Sequence, residues 1–377
     1  MAPTGASPRL KDRRMRVLIV YASAGAGHRR AAEAVYDYLK ANRPDLSLKI
    51  IDVLDRTNAL FRFDYIVGYS FLVRYAVGLW WFAFWLTEFK AFRFLSAPIA
   101  TFVNNINSLS FIRYLIRKNP DYIISTHFLS ADIAALLKRK KKITSKLMTI
   151  ITDFGVHPYW IAQGTDFYIV ASDFTKKRLL SEGVREEKIK VFGLPFHQKF
   201  LKEFDRKALA EKIGINPDKF TVMLMTGSFG TGPLKKIAWM LSFKAQVLVV
   251  CASNEKLCKR LLRERLPNVK VFGYINNTEE LMAVSDCIVT KAGGSTIAEI
   301  INMGLVPIFI SIIPGQEASN VEAMQDMGVG FVPKSLKELR DIIIVLKNNP
   351  AKLEEMKERL EWVKKPFACQ EISNVIR

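Results

Sequence analysis

The chain has 377 residues, 50% hydrophobic and 24% charged, a composition that excludes wholesale disorder and a length that suits two domains of about 150–200 residues. Lys and Arg number 56 against 36 Asp and Glu, a net charge of +20, and residues 1–200 hold 31 of the basic side chains but only 16 of the acidic ones. That half is expected to face something anionic, either nucleic acid or an anionic membrane surface.

The opening stretch MAPTGASPRLKDRRMR has no apolar core, so it reads as a short basic leader and not as a signal peptide. Strand-like runs then recur at Arg16–Ala22, Leu48–Val53, Tyr122–Ser125, Lys146–Ile151, Phe167–Val170 and Lys190–Phe192, with a helical pattern over His28–Lys40. The theme repeats at Thr221–Met225, Gln246–Cys251, Val269–Phe272, Asp286–Val289 and Val306–Ile310. Alternating β and α elements predict parallel sheets with helices on both faces, in two tandem α/β domains with a cleft between them. We divide the chain near Gly193-Leu194-Pro195 into residues 1–196 and 197–361, followed by a segment 362–377. Cys251, Cys258, Cys287 and Cys369 form neither a CxxC pair nor a zinc set with a nearby His, which fits a reducing compartment.

Residues 56–118 are not simple βαβ material. They carry Trp80, Trp81 and Trp85 among many Phe and Tyr, punctuated by Arg62, Arg74, Lys90 and Arg93. The uncharged run Tyr75–Thr87 makes a helix of only about 20 Å, too short to span a bilayer. Two readings stand: a helical hairpin packed on its own domain, or an interfacial element whose aromatics enter the headgroup zone while Arg and Lys meet phosphate.

Three turns carry chemistry. Ser23-Ala24-Gly25-Ala26-Gly27-His28 links a strand to a helix; Gly25 and Gly27 admit a ligand close to the backbone, and His28 stands where it could take a proton near neutral pH. The third glycine of a dinucleotide fingerprint would fall at Arg30, so that motif is excluded. Thr226-Gly227-Ser228-Phe229-Gly230-Thr231-Gly232 suits a phosphate cradle but lacks the GK[ST] of a P-loop. Thr290-Lys291-Ala292-Gly293-Gly294-Ser295-Thr296 leads into a helix with Glu299 one turn on: an anion site beside a carboxylate that could accept from a ribose diol. After the next strand, Pro314-Gly315-Gln316-Glu317-Ala318-Ser319-Asn320 sets amides and a carboxylate at the sheet edge, where they suit sugar hydroxyls.

Together the segments Ser23–Ala34, Pro120–Phe128, Thr152–Trp160, Gly193–Phe196, Thr290–Glu299 and Pro314–Asn320 resemble the inverting glycosyltransferases that include monogalactosyldiacylglycerol synthases and processive diacylglycerol glucosyltransferases. The lipid II-forming N-acetylglucosaminyltransferases are more distantly similar. The resemblance implies an α/β GT-B fold of two Rossmann-like domains facing a central cleft, and transfer of a hexose from UDP-glucose or UDP-galactose to diacylglycerol, with inversion and without a metal; consistent with that, the chain has no Asp-x-Asp. It implies His28 or Asp153 as base, and Gly25, Gly27, His127, His157 and Trp160 on the acceptor side. For the donor it implies Gly227 and Ser228, Phe272-Gly273-Tyr274 around uracil, Gly293, Gly294, Ser295 and Thr296 on the diphosphate, Glu299 on ribose, and Gln316, Glu317 and Asn320 near the sugar. Phe229 departs from the family's more glycine-rich, acidic turn. The implied partners are UDP-hexose, diacylglycerol and an anionic phospholipid surface met by Arg74, Trp80, Trp81, Trp85, Lys90 and Arg93, with no nucleic acid. The implied place is peripheral, on the cytoplasmic face of the membrane, and residues 362–377 are expected to cross back onto the first domain. Alternatives are a polyprenyl-linked acceptor, a UDP-sugar epimerase of similar architecture, or a nucleic-acid binder, the last lacking any recognisable module.

Overall fold

A computed structural model describes residues 14–68, 71–72, 75–228 and 230–377. Short runs rich in Val, Ile, Leu and Met pair side by side, every described strand parallel to its neighbours, in two separate sheets. Runs apolar on both faces are what a parallel sheet covered by helices requires. The first sheet comprises β1 (Met15–Tyr21), β2 (Leu46–Asp52), β3 (Tyr122–Ser125), β4 (Lys146–Ile150), β5 (Phe167–Ile169) and β6 (Ile189–Lys190), in the order β2-β1-β3-β4-β5-β6. The second comprises β7 (Thr221–Met225), β8 (Gln246–Val250), β9 (Val269–Phe272), β10 (Cys287–Thr290) and β11 (Val306–Phe309), in the order β11-β10-β7-β8-β9. Each strand expected from the sequence is present, its ends within two residues.

Strand order reverses between β1 and β3 in the first sheet and between β7 and β10 in the second. Connections leave such a switch point in opposite directions, opening a crevice at the carboxyl ends of the two strands. All three glycine-rich turns follow β1, β7 or β10, so topology alone delivers them to the two crevices.

Alternate residues of β1 split the first core. Val17 and Ile19 pack with Ala32 and Val35 on one face, whereas Leu18 and Val20 pack with Phe111, Leu115 and Leu129 on the other. The chain leaves this domain past Gly193 and returns beside it, since a Cβ on Gly193 would lie 2.3 Å from Lys365 Cβ. The last helix, Ala368–Val375, then seats on the helix Ala26–Asn42. Arg43 Nη1 donates to the carbonyls of Ser373 and Ile376 at 3.1 and 3.2 Å, and Tyr122 Oη to that of Val375 at 3.2 Å.

The insertion forms the helices Val77–Glu88, Lys90–Asn107 and Leu109–Lys118. Only the third turns large side chains into the core, through Phe111, Tyr114 and Leu115. Along Lys90–Asn107, Leu95, Ile99, Phe102 and Ile106 form an outward stripe 54–69% exposed, while Thr101 on the inner side donates to Asp132 Oδ2 at 3.2 Å. That polarity is the reverse of a helix on a soluble core. Trp81, Phe82 and Trp85 are likewise exposed, and Trp80 is half-buried. Lys90 is exposed, whereas Arg93 is tied to Glu182 at 3.0 Å. Among the described residues no helix is long and apolar enough to cross a membrane. Arg74 and Phe229 lie outside the described residues.

Candidate active site

The two crevices face each other, and the N-termini of the helices Ala26–Asn42 and Gly294–Met303 meet across the gap. Ser295 Oγ donates to Gly27 O at 3.1 Å. A Cβ on Gly294 would lie 2.1 Å from Thr152 O, so only glycine allows the turn after β10 to approach the loop after β4 this closely.

His28 sits in the first turn of its helix, half-buried. Its Nδ1 is 2.9 Å from Thr126 O and 2.8 Å from Thr152 Oγ1. A carbonyl can only accept, so Nδ1 carries the proton and Nε2 keeps its lone pair. Thr126 Oγ1 returns a bond to His28 O at 2.9 Å. The buried ring of His127 stands edge-on to His28, centroids 4.7 Å apart at 81°, and Trp160 lies 6.0 Å from it. Leu129 N–H donates to His127 Nδ1 at 3.1 Å. Burial pushes the His28 pKa down to about 4, and burial with the neighbouring His28 holds His127 well below the usual histidine range. Both rings are therefore neutral at pH 7. Gly25 and Gly27 lie at the mouth, Gly25 exposed.

Asp153, the other candidate base, is 5% exposed and accepts from Gln316 Nε2 at 2.6 Å and Asn320 Nδ2 at 3.0 Å. Burial raises its pKa against those two bonds. Asn320 is fully buried: Nδ2 also donates to Ala292 O at 2.9 Å, and Oδ1 accepts from Phe154 N at 2.7 Å and Gly155 N at 3.0 Å. All four hydrogen-bonding positions of that amide are thus occupied inside the protein. Asn320, expected beside the donor sugar, clamps the loop after β4 to the turn after β10. Glu317 is similarly engaged, Oε1 with Lys291 Nζ at 2.9 Å and Oε2 accepting from Ile313 N at 2.9 Å.

Glu299 presents the opposite case. It is 4% exposed, Arg30 Nη1 lies 3.6 Å from Oε1, and Oε2 is buried without a hydrogen-bond partner among the described residues. Burial, opposed by Arg30 and Lys199, lifts its pKa to about 7. Ser295 is buried and Thr296 half-buried at the head of the same helix, with Gly293 as its cap. Gly227 and Ser228 follow β7, where Ser228 O accepts from Ser253 Oγ at 2.8 Å. Phe272-Gly273-Tyr274 closes β9, with Tyr274 70% exposed.

His157 stands apart from this cluster. Tyr159 N–H donates to its Nδ1 at 3.3 Å, leaving Nε2 to donate to Thr87 Oγ1 at 2.9 Å in the helix Val77–Glu88. It ties the loop after β4 to the insertion, and burial, with Arg93 adding to it, lowers its pKa to about 4. Thr126, Thr152 and Arg30 were not singled out by sequence reasoning, although the first two follow β3 and β4 at the carboxyl edge of the sheet, a signal that could have marked them. No local signal marks Thr87.

The family model of monogalactosyldiacylglycerol (MGDG) synthase matches residues 28–196, and that of the glycosyltransferase family 28 C-terminal domain matches residues 222–364. The chain is 33% identical to monogalactosyldiacylglycerol synthase 3, chloroplastic, of Arabidopsis thaliana, across 94% of this chain and 79% of that protein. It is 26% identical to the processive diacylglycerol beta-glucosyltransferase of Bacillus pumilus, across 95% and 93%. Among solved structures, Acinetobacter baumannii MurG aligns with a TM-score of 0.62 at 14% identity, over 96% of this chain and 99% of that one. UDP-GlcNAc 2-epimerase from Neisseria meningitidis, bound to UDP-GlcNAc, aligns at 0.60 with 16% identity over the same shares. These two likenesses show the fold alone. By its sequence relatives, the chain belongs to the monogalactosyldiacylglycerol synthase family of glycosyltransferases.

Proposed function

We propose that the protein transfers a hexose from a UDP-sugar to the hydroxyl of diacylglycerol at a membrane surface, with inversion at the anomeric carbon. The observation that carries this reading is the apposition of His28, with a free lone pair on Nε2, to the Gly293–Thr296 turn, beside the unpartnered carboxylate oxygen of Glu299. His28 Nε2 takes the acceptor proton, the alkoxide oxygen bonds to the anomeric carbon, and the bond from that carbon to UDP breaks, its electron pair leaving with the diphosphate. Charge on the departing group meets the helix amides with Ser295 and Thr296, so this reading assigns no step to a metal. Ribose hydroxyls would satisfy Glu299 Oε2. Asp153, both oxygens already bonded, holds the cleft together and leaves the base role to His28.

The outward apolar stripe of Lys90–Asn107 and the exposed aromatics of Val77–Glu88 support a peripheral place on anionic lipid. Four free cysteines support the cytoplasmic face. The basic run Lys138–Lys142 ends a helix that starts after β3 and so lies at the amino edge of the sheet, away from the aromatic helix beside the cleft. Lys138 is also paired with Asp166, so the membrane reading rests on the insertion helices.

The test is UDP release from UDP-glucose and from UDP-galactose, each with phosphatidylglycerol vesicles containing or lacking diacylglycerol, for the parent and His28→Ala. Release that requires diacylglycerol and disappears in the variant supports the proposal and identifies the sugar. Release that ignores diacylglycerol, or survives the substitution, overturns it.

A further inference from the structure

The aromatic helix Val77–Glu88 has two faces. Outward it presents Leu79, Trp81, Phe82 and Trp85, each 43–60% exposed. Inward it presents Phe84, and this side chain leaves its own domain. A Cβ built on Gly315, in the loop after β11, would lie 2.8 Å from Phe84 Cγ and Cδ1, so the ring rests on the backbone of the second domain. Gly315 has φ of +93°, a conformation that glycine accommodates without strain. The next residue is Gln316, whose amide reaches back to Asp153 at 2.6 Å.

Phe84 is held from its own side as well. Its ring centroid is 4.5 Å from that of His157, and Thr87 Oγ1 donates to Phe84 O at 2.6 Å while receiving the His157 Nε2 proton at 2.9 Å. The outward aromatics and the Gly315–Gln316 loop are thus attached to one short rigid element. Helices are stiff and packed contacts have few alternative arrangements, so a shift of this helix at a lipid surface is passed to Gln316 and from there to the Asp153–Asn320 clamp.

We infer that Phe84 is a positioning residue that couples lipid-surface engagement by the aromatic helix to closure of the cleft around the nucleotide. The inference rests on the reading above, with UDP in the second domain and lipid against the first. Coupling of two binding events is reciprocal: if vesicles tighten UDP binding by a factor, UDP tightens vesicle binding by the same factor.

The experiment measures the UDP Kd by calorimetry with and without saturating phosphatidylglycerol–diacylglycerol vesicles, and vesicle affinity with and without UDP. We expect the parent to show one shared factor of about five-fold or more in both directions. Phe84→Ala should keep both separate affinities while the factor falls to about one, and Phe84→Leu should restore part of it. Trp81→Ala should weaken vesicle binding and leave the factor at saturation unchanged. A factor of one in the parent, or an undiminished factor in Phe84→Ala, overturns the coupling while leaving the functional reading intact. Failure of the parent to bind UDP or vesicles at all overturns that reading and the coupling with it.

Discussion

Asn320→Ala is the substitution on which the geometry makes the sharpest demand. It removes an amide with no solvent exposure that makes four bonds, three of them across the domains to Asp153, Phe154 and Gly155 and one to Ala292 in its own domain. The N–H groups of Phe154 and Gly155 lose their shared acceptor, and a buried donor left unsatisfied costs about 1–3 kcal/mol. Water entering the space left behind would hold each cost toward the lower end, giving roughly 2–4 kcal/mol against the closed arrangement. At 1.36 kcal/mol per decade that lowers the population of the closed cleft, and kcat with it, by roughly 30- to 1,000-fold. Each domain keeps its own core, so the variant should fold and still bind UDP. Asn320→Asp makes a useful partner: it retains the acceptor for the two N–H groups but sets a second carboxylate about 3 Å from Asp153, where one of the pair must hold a proton. That proton restores a donor, so the deficit of Asn320→Asp should shrink as pH falls from about 8 to 6. The assay is steady-state UDP release with diacylglycerol vesicles, beside UDP calorimetry and thermal melts. If Asn320→Ala keeps kcat within about three-fold of the parent, a loss of under about 1 kcal/mol, the clamp does not assemble the site.

Four further outcomes follow from the same geometry. His28→Ala should lower turnover by about 100-fold or more, and in the parent the acid limb of kcat/KM should fall near pH 4, because burial keeps His28 neutral above that value. The same depression has a sign for stability: the unfolded chain takes up protons below about pH 6.5, while folded His28 and His157 resist until about 4, so chemical-denaturation midpoints should drop as pH falls through that window. Glu299, held near 7 by burial, should become more acidic when ribose hydroxyls donate to it; UDP binding at pH 7 should then release a fraction of a proton, seen as calorimetric heats that vary with buffer ionisation enthalpy, and Glu299→Gln should abolish that variation. Replacing Trp81, Phe82 and Trp85 together by Ala removes about 1–1.5 kcal/mol of lipid burial each and should weaken vesicle binding by roughly 100-fold or more, whereas unchanged sedimentation with vesicles would assign the exposed face to something other than lipid.

The strands were legible because their information is local. A run such as Lys146–Ile150 or Val306–Phe309 is apolar on both faces wherever it sits, and only a covered parallel sheet accommodates it. The glycine-rich turns were legible for the same reason, and the strand order then brought His28, Gly227 and Gly293 to the crevices. Partnership across the cleft was not local. Nothing near Asn320 in the chain says that its amide will meet Phe154 and Gly155, 166 and 165 residues away, and its setting among Gln, Glu and Ser suggested a sugar contact equally well. Nor does anything near His157, expected on the acceptor side, announce that its ring will meet Thr87, 70 residues away. The periodic apolar stripe of Lys90–Asn107 was present in the sequence from the start, but a stripe fixes only that one face is apolar. Whether that face turns inward or outward depends on what the rest of the domain leaves uncovered, and the core beneath was already filled by Phe111, Leu115 and Leu129. The sheets, their turns and the chemistry those turns carry are written in short stretches of chain; which polar groups satisfy one another between domains, and which remain free for a ligand, is set by packing between elements far apart in the chain.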